Sequence, residues 1–199
     1  MKRKLETKDR RIKKTQKSIR DALVDLLSEK DVSEITIKEL AERANINRKT
    51  FYMHYSSIDD IFDKIENEII EKLLLILEKY DFFQAQFDGY AFFTSLNNLI
   101  TEDYDFFEKL VRANSYNFLF TKVKKVLKDT IIEKFHEKFD IDREMLSLYT
   151  EFIASGLMSM YAEWFSMNSK LSLEDLAKAG SNIAFNGIKS ILAKQVSSF

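Results

Sequence analysis

Residues 36–55 read TIKELAERANINRKTFYMHY, and this stretch decides the fold. Thr36 with Glu39 three residues on is a capping box, in which a hydroxyl and a carboxylate satisfy free amides at a helix start. Ile37, Leu40, Ala41 and Ala44 then recur at helical spacing, leaving Lys38, Glu39, Glu42 and Arg43 to water. Asn45 follows. After Gly, Asn best tolerates a left-handed backbone, so the first helix can end there. Asn47 is placed to cap a second helix over 48–54. Two helices this short do not hold together alone. Joined by three or four residues they form a helix-turn-helix, whose second helix enters the major groove of DNA.

The surface of that second helix suits such a task. Arg48 and Lys49 fall in its first turn, where recognition helices meet base edges, with the cap Asn47 beside them. Thr50 offers a hydroxyl and a methyl to a base. Tyr52 and His54 supply polar tips at the level of the phosphates, while Phe51 and Tyr55, four apart, pack inward. A core-packed helical hairpin with a solvated basic edge would look similar, so the surroundings must decide.

The run ITIKELAERANINRKTFYMHYSS resembles the DNA-binding signature of the TetR family of bacterial transcriptional regulators. The resemblance implies an all-α fold of about nine helices. A three-helix head (residues 1–57) would be joined by a long fourth helix to a helical effector-binding and dimerising body (58–199). By position it implies DNA contacts from Thr36 and Lys38 as well. It assigns base reading to Arg48, Lys49 and Thr50, and phosphate contacts to Tyr52 and His54. Two positions depart from the family pattern: Asn45 stands where Gly is usual, and Ile58 where a phosphate-binding Lys is common. The body also resembles a subgroup of short regulators from low-GC Gram-positive bacteria, some linked to dihydroxyacetone-kinase control.

Charge is divided along the chain. Residues 1–55 hold 15 Lys and Arg against 9 Asp and Glu, although the whole chain carries a net charge of -1. The remainder is therefore acidic by seven. A basic head on an acidic body is expected of a DNA-binding module with a second task. There is no Cys, which removes disulfides and thiolate chemistry, and no apolar run long enough for a bilayer. A cytoplasmic protein that does not enter the membrane is expected.

Outward from the motif, residues 1–6 are expected to be disordered, or to form a basic arm of Lys2, Arg3 and Lys4 on DNA. A first helix should run over 7–29. Ser57 with Asp60 opens the fourth, whose apolar residues continue to Tyr80, a span of about 35 Å. Further helices are expected over 88–101, 103–113, 115–139, 142–168 and 172–196, with no strand. Fifteen of the 17 Phe lie beyond residue 80. They either fill the core or line an apolar cavity; Phe92, Phe93, Phe107, Phe118 and Tyr149 are the candidate effector-pocket residues. An aromatic lining in an acidic body favours an apolar or cationic effector over a polyanion.

The last two helices carry one broad apolar stripe (Tyr149, Phe152, Ile153, Gly156, Leu157, Met160, Trp164) and a seam of small residues (Ala177, Gly180, Ala184, Gly187) next to Ile183, Ile188 and Ile191. Gly inside a helix costs about 1 kcal/mol relative to Ala, so two of them mark a close backbone approach, within the chain or to a second copy. The family resemblance points to a second copy and a homodimer on a palindromic operator. No cofactor and no metal are expected. Glu133 and His136 have the spacing of one half of a helical di-iron site, but no second pair exists. The functional expectation is a sequence-specific repressor released by a small molecule, and not an enzyme. Two alternatives are a helical dimer that binds a protein partner and has lost its operator, and a helical-bundle enzyme acting on an apolar substrate.

Overall fold

The computed structural model describes residues 2–82, 84, 86–112, 116–139, 141–167 and 169–196, with side chains described except at 2–9, 116–120 and 187–196. Among these, nine α-helices and no strand are found: α1 (Lys2–Leu27), α2 (Ile37–Arg43), α3 (Arg48–Tyr52), α4 (Ile58–Lys79), α5 (Gly89–Glu102), α6 (Tyr104–Arg112), α7 (Tyr116–His136), α8 (Arg143–Ser166) and α9 (Leu173–Val196). A single 3₁₀ turn, Val32–Glu34, follows α1 and is capped by Asp31, whose carboxylate accepts from the Ser33 amide at 2.9 Å. The all-α expectation holds. Helix α1 begins at Lys2, five residues before the expected start at residue 7. The segment contains no Gly or Pro and only one β-branched residue before Ile12, and Lys, Arg, Leu and Glu are good helix formers.

The chain forms two compact units. The first comprises Met1–Asn67 with Tyr104–Leu119, the second Glu68–Asp103 with Phe120–Phe199. In the first unit Ile19, Leu23 and Leu26 of α1, Leu40 of α2, Phe51 of α3, Tyr55 and Ile61 are all almost fully buried. Helix α6 belongs here too. It buries Phe106, Phe107, Leu110 and Val111, and Lys109 donates to Asp25 at 2.7 Å. The boundary read between residues 57 and 58 thus differs from this grouping, since a segment distant in sequence packs on α1. Nothing local in residues 104–112 marks that partner.

The second unit is built on α5, α7, α8, α9 and the later turns of α4. Leu73, Leu77, Phe92, Phe93, Val123, Ala177 and Ala184 form its main buried cluster. Tyr80, Phe82, Phe87, Phe92 and Phe185 make a chain of mostly edge-to-face rings with centroids 4.7–6.4 Å apart. Such pairs add about 0.5–1.5 kcal/mol each beyond area burial. At Gly180 of α9 a ring of α5 packs close. A Cβ there would lie 2.6 Å from the Phe93 ring.

Candidate nucleic-acid interface and body cavity

Local chemistry sets the geometry of the helix-turn-helix. The Thr36 hydroxyl accepts from the Glu39 amide at 3.2 Å and starts α2. The Glu39 carboxylate, expected to reach back to the cap, pairs instead with Lys30 at 2.6 Å. Asn45 turns the chain at φ 54°, the left-handed conformation expected of it. Asn47 then caps α3: its Oδ1 accepts from the Thr50 amide at 2.7 Å and from the Thr50 hydroxyl at 3.0 Å. That hydroxyl proton is therefore committed to the cap, leaving Thr50 its lone pairs and its methyl for a base. Asn47 acts first as the cap, and only its amide NH₂ remains for a ligand.

Helix α3 is shorter than expected and stops at Tyr52, so His54 lies in the turn beyond it. Phe51 and Tyr55 are buried with ring centroids 6.0 Å apart, and this anchors the helix. On the other side Arg48 and Lys49 are exposed, and Tyr52 is 51% exposed. Thr36 and Lys38 are exposed at the start of α2. Sequence reasoning missed Lys64. Its ammonium donates to the His54 carbonyl at 2.7 Å and to Asp60 at 3.1 Å, and lies 4.8 Å from the centre of the Tyr55 ring. The signal for it was the Asp60–Lys64 spacing of four. The Ser56 amide, followed by Lys64, holds the Asp60 carboxyl below the usual range, so this clamp stays ionised. The Ser57 hydroxyl accepts from the Asp60 amide at 3.1 Å, completing the cap expected for α4.

The second unit encloses an apolar cavity of about 90 Å³. Phe92 and Phe93 from α5, Leu127 and Phe135 from α7, and Tyr149 and Ile153 from α8 are among its walls. Three candidate pocket residues, Phe92, Phe93 and Tyr149, are thus brought together. Phe107 is not among them: it lies in the first unit, where it packs beside Phe106. The Phe118 side chain lies outside the described residues. Among the described residues Lys128 is the one charged member of the walls, and its ammonium donates to Glu151 at 3.0 Å. Lys124 donates to the other oxygen of the same carboxylate at 2.7 Å. Bonds from Lys124, Lys128 and Ser155 hold the Glu151 carboxyl down at about 2.

The expected dimer residues divide. Phe152 is 77% exposed, and nothing lies within 4 Å of a Cβ built on Gly156. Leu148, not singled out from sequence, is 60% exposed, and Ile183, read beside the small-residue seam, is 66% exposed. Met160 is half-buried. The half-buried Trp164 donates its indole N–H to the Leu171 carbonyl at 2.8 Å, within its own chain. The small-residue seam needs correction. Ala177, Gly180 and Ala184 are buried inside the subunit, where α5 packs against α9 and the Phe93 ring takes the space a side chain at 180 would need. The side-chain positions of Gly187 and Ile191 lie outside the described residues.

Among the described residues no group of His, Cys, Asp and Glu could hold a metal, and no helix is long and apolar enough to cross a membrane.

Comparison with known proteins agrees with this architecture. A family model described as bacterial regulatory proteins, tetR family, matches residues 19–65, and one described as transcriptional regulator C-terminal region matches residues 87–186. The uncharacterized HTH-type transcriptional regulator YxbF of Bacillus subtilis (strain 168) is 33% identical over 79 residues, 37% of this chain. The aligned stretch spans 21% of that relative's length. A TetR transcriptional regulator from Streptococcus agalactiae 2603V superposes with a TM-score of 0.56 at 22% identity, covering 90% of this chain and 98% of its own. The dihydroxyacetone kinase operon activator DhaS gives 0.54 at 21% identity, with 88% and 96% covered. The fatty acid degradation regulator FadR from Bacillus halodurans gives 0.55 at 15%, with 85% and 93% covered. At such identities these structures speak to the fold alone. The two family models span the helix-turn-helix and most of the body, and the chain belongs to the TetR family of bacterial transcriptional regulators.

Proposed function

We propose that this regulator acts in the cytoplasm as a homodimer on a palindromic DNA operator. Arg48, Lys49 and Thr50 read base edges; Thr36, Lys38, Tyr52 and His54 hold phosphates. The observation that carries this is the division of α3 into a buried side, Phe51, and a side that exposes Arg48, Lys49 and Tyr52, fixed at one end by the Asn47 cap and at the other by Lys64. A helix backbone fixed at both ends loses little freedom on meeting a groove. Exposed Leu148, Phe152 and Ile183 favour a second copy as the partner of α8 and α9, in a symmetric interface. We take the regulator as a repressor, the common arrangement implied by the family, released by a neutral apolar effector in the body cavity. Among its structural relatives DhaS is named an activator, so the direction of control is open to a reporter assay.

Affinity for DNA upstream of the protein's own gene, against scrambled DNA, tests the reading. Lys49→Ala should cost about 1–3 kcal/mol on the preferred sequence and less on scrambled DNA. Equal losses on both would remove Lys49 from base reading. Failure of the wild type to bind either DNA would leave the alternative of a dimeric protein-interaction module.

A further inference from the structure

Two pairs of residues meet across helices α7 and α8 at the edge of the body cavity. Lys124 and Lys128 stand one turn apart on α7, and Glu151 and Ser155 one turn apart on α8, so each pair projects from one side of its helix. One Glu151 oxygen accepts from Lys124 at 2.7 Å and from the Ser155 hydroxyl at 2.9 Å. The other accepts from Lys128 at 3.0 Å. Lys124 also reaches the Ser155 hydroxyl oxygen at 3.2 Å. A single carboxylate thus holds two ammonium groups, and all three charged side chains are partly buried.

Of these two lysines only Lys128 is a wall of the cavity. Among the described residues the surface turned to the cavity is nevertheless apolar throughout. Lys128 therefore lends the cavity its methylene stem while its ammonium is drawn aside to Glu151. Thr150, also a wall, spends its hydroxyl proton on the Leu146 carbonyl at 2.9 Å within its own helix. The one charge that could greet a polar ligand is held out of the space by a residue that is not itself a wall.

We infer that Glu151 sets the specificity of the body cavity: by holding the Lys128 ammonium aside, it makes the site one for neutral ligands and closes it to carboxylates. The inference rests on the effector reading above. A carboxylate leaving water for an apolar cavity needs a charged partner there. Lys128 is that partner, but the Glu151 carboxylate already bonded to it repels a second anion. An uncharged isostere at 151 reverses both effects. It releases Lys128, and it leaves Lys128 and Lys124 as two cations with no anion between them. A ligand without charge is indifferent to the change.

The test uses the full-length protein with toluene and sodium benzoate as probes, the same ring without and with a charge. Each melting temperature is read against the same protein free of ligand, at one ionic strength held with sodium chloride. Toluene should stabilise the wild type and Glu151→Gln alike. Benzoate should stabilise Glu151→Gln, with an affinity at least about tenfold above that of the wild type, as a charge-assisted bond to Lys128 supplies. That gain should vanish in Glu151→Gln/Lys128→Met. Glu151→Ala removes the same carboxylate and carries the same expectation, so the test does not hang on the folding of one variant. Benzoate that stabilises neither single variant, while toluene stabilises both, would overturn the inference and leave the neutral cavity standing. Benzoate that stabilises the wild type as strongly as the variants would overturn it too. A benzoate effect kept in the double variant would also overturn it, by placing the anion away from Lys128. Toluene that stabilises none of these proteins would overturn the effector reading, and the inference with it.

Discussion

Single residues do separable work in this molecule, and substitution can separate it. Asn47 caps α3 through its Oδ1 and also stands among the residues nearest the proposed groove. Asn47→Ala should lower head stability by about 0.5–2 kcal/mol, whereas Asn47→Ser, which keeps an acceptor, should lose much less. If DNA affinity follows stability through both variants, the residue is a cap only. Affinity lost in the Ser variant at full stability would assign its NH₂ a contact. In the body, buried Asn97 donates to the Leu173 carbonyl at 2.5 Å and accepts from the Tyr161 hydroxyl, which joins α5, α8 and the start of α9. Burial pushes the Tyr161 phenol up to about 12. Its pKa is higher folded than unfolded, so its contribution to stability is complete below the ordinary value near 10 and fades as pH rises through about 12. Tyr161→Phe should cost about 1–3 kcal/mol at neutral pH by leaving the Asn97 oxygen without its donor. It should also abolish the added stability loss between pH 10 and 12 in urea titrations; an identical pH slope in the variant would refute the assignment. The Asn45 turn and both caps were legible in sequence because their bonds span three or four residues. The Asn97 network joins residues up to 76 apart, and no local pattern announces it.

At the scale of elements, helix positions were legible because periodicity and caps are local, while helix partners were not. The seam on α9 is the sharpest case. Small residues correctly marked a close approach, but the approaching element is α5, not a second subunit. Gly180→Leu should accordingly lower the melting temperature of the body, since the Phe93 ring must move, and should leave the dimer's dissociation constant nearly unchanged at temperatures where the variant is folded. Helix α8 misled differently: it is apolar on two sides. Tyr149, Ile153 and Leu157 line the cavity, whereas Leu148, Phe152 and Gly156 face outward. A stripe read from sequence merges the two sides because each recurs at the same spacing. Phe152→Glu should therefore dissociate the dimer while sparing the fold. Sedimentation at micromolar concentration checks it, and an undiminished dimer would move the interface off this face.

At the scale of the whole molecule, charge and cavity assign different chemistries to the two units. The basic excess within residues 1–55 and the acidic excess beyond them were visible in composition alone. The cavity was visible only as an abundance of Phe, because whether aromatics fill a core or surround a space depends on how well the helices close. The expectation of an apolar or cationic effector now narrows. A cation entering the cavity would lose its hydration and meet Lys128, a like charge already committed to Glu151. A carboxylate would have to take Lys128 from a partner whose pKa of about 2 keeps it ionised. A neutral apolar ligand needs no polar partner; engineered dry cavities of ~150 Å³ take up benzene on this basis. At about 90 Å³ the walls here must give way to admit a ring. Toluene should therefore raise the melting temperature of the full-length protein, whereas benzoate and benzylammonium at equal concentration should not. Saturation a hundredfold above the dissociation constant corresponds to about 2.7 kcal/mol of added stability. Ala154→Phe, which projects a ring into the space, should remove the toluene effect without removing DNA binding. A ligand in the body can release DNA only through its different affinity for the bound and free arrangements of the heads. Toluene that stabilises the protein but leaves operator affinity unchanged would make the cavity a packing defect rather than an effector site.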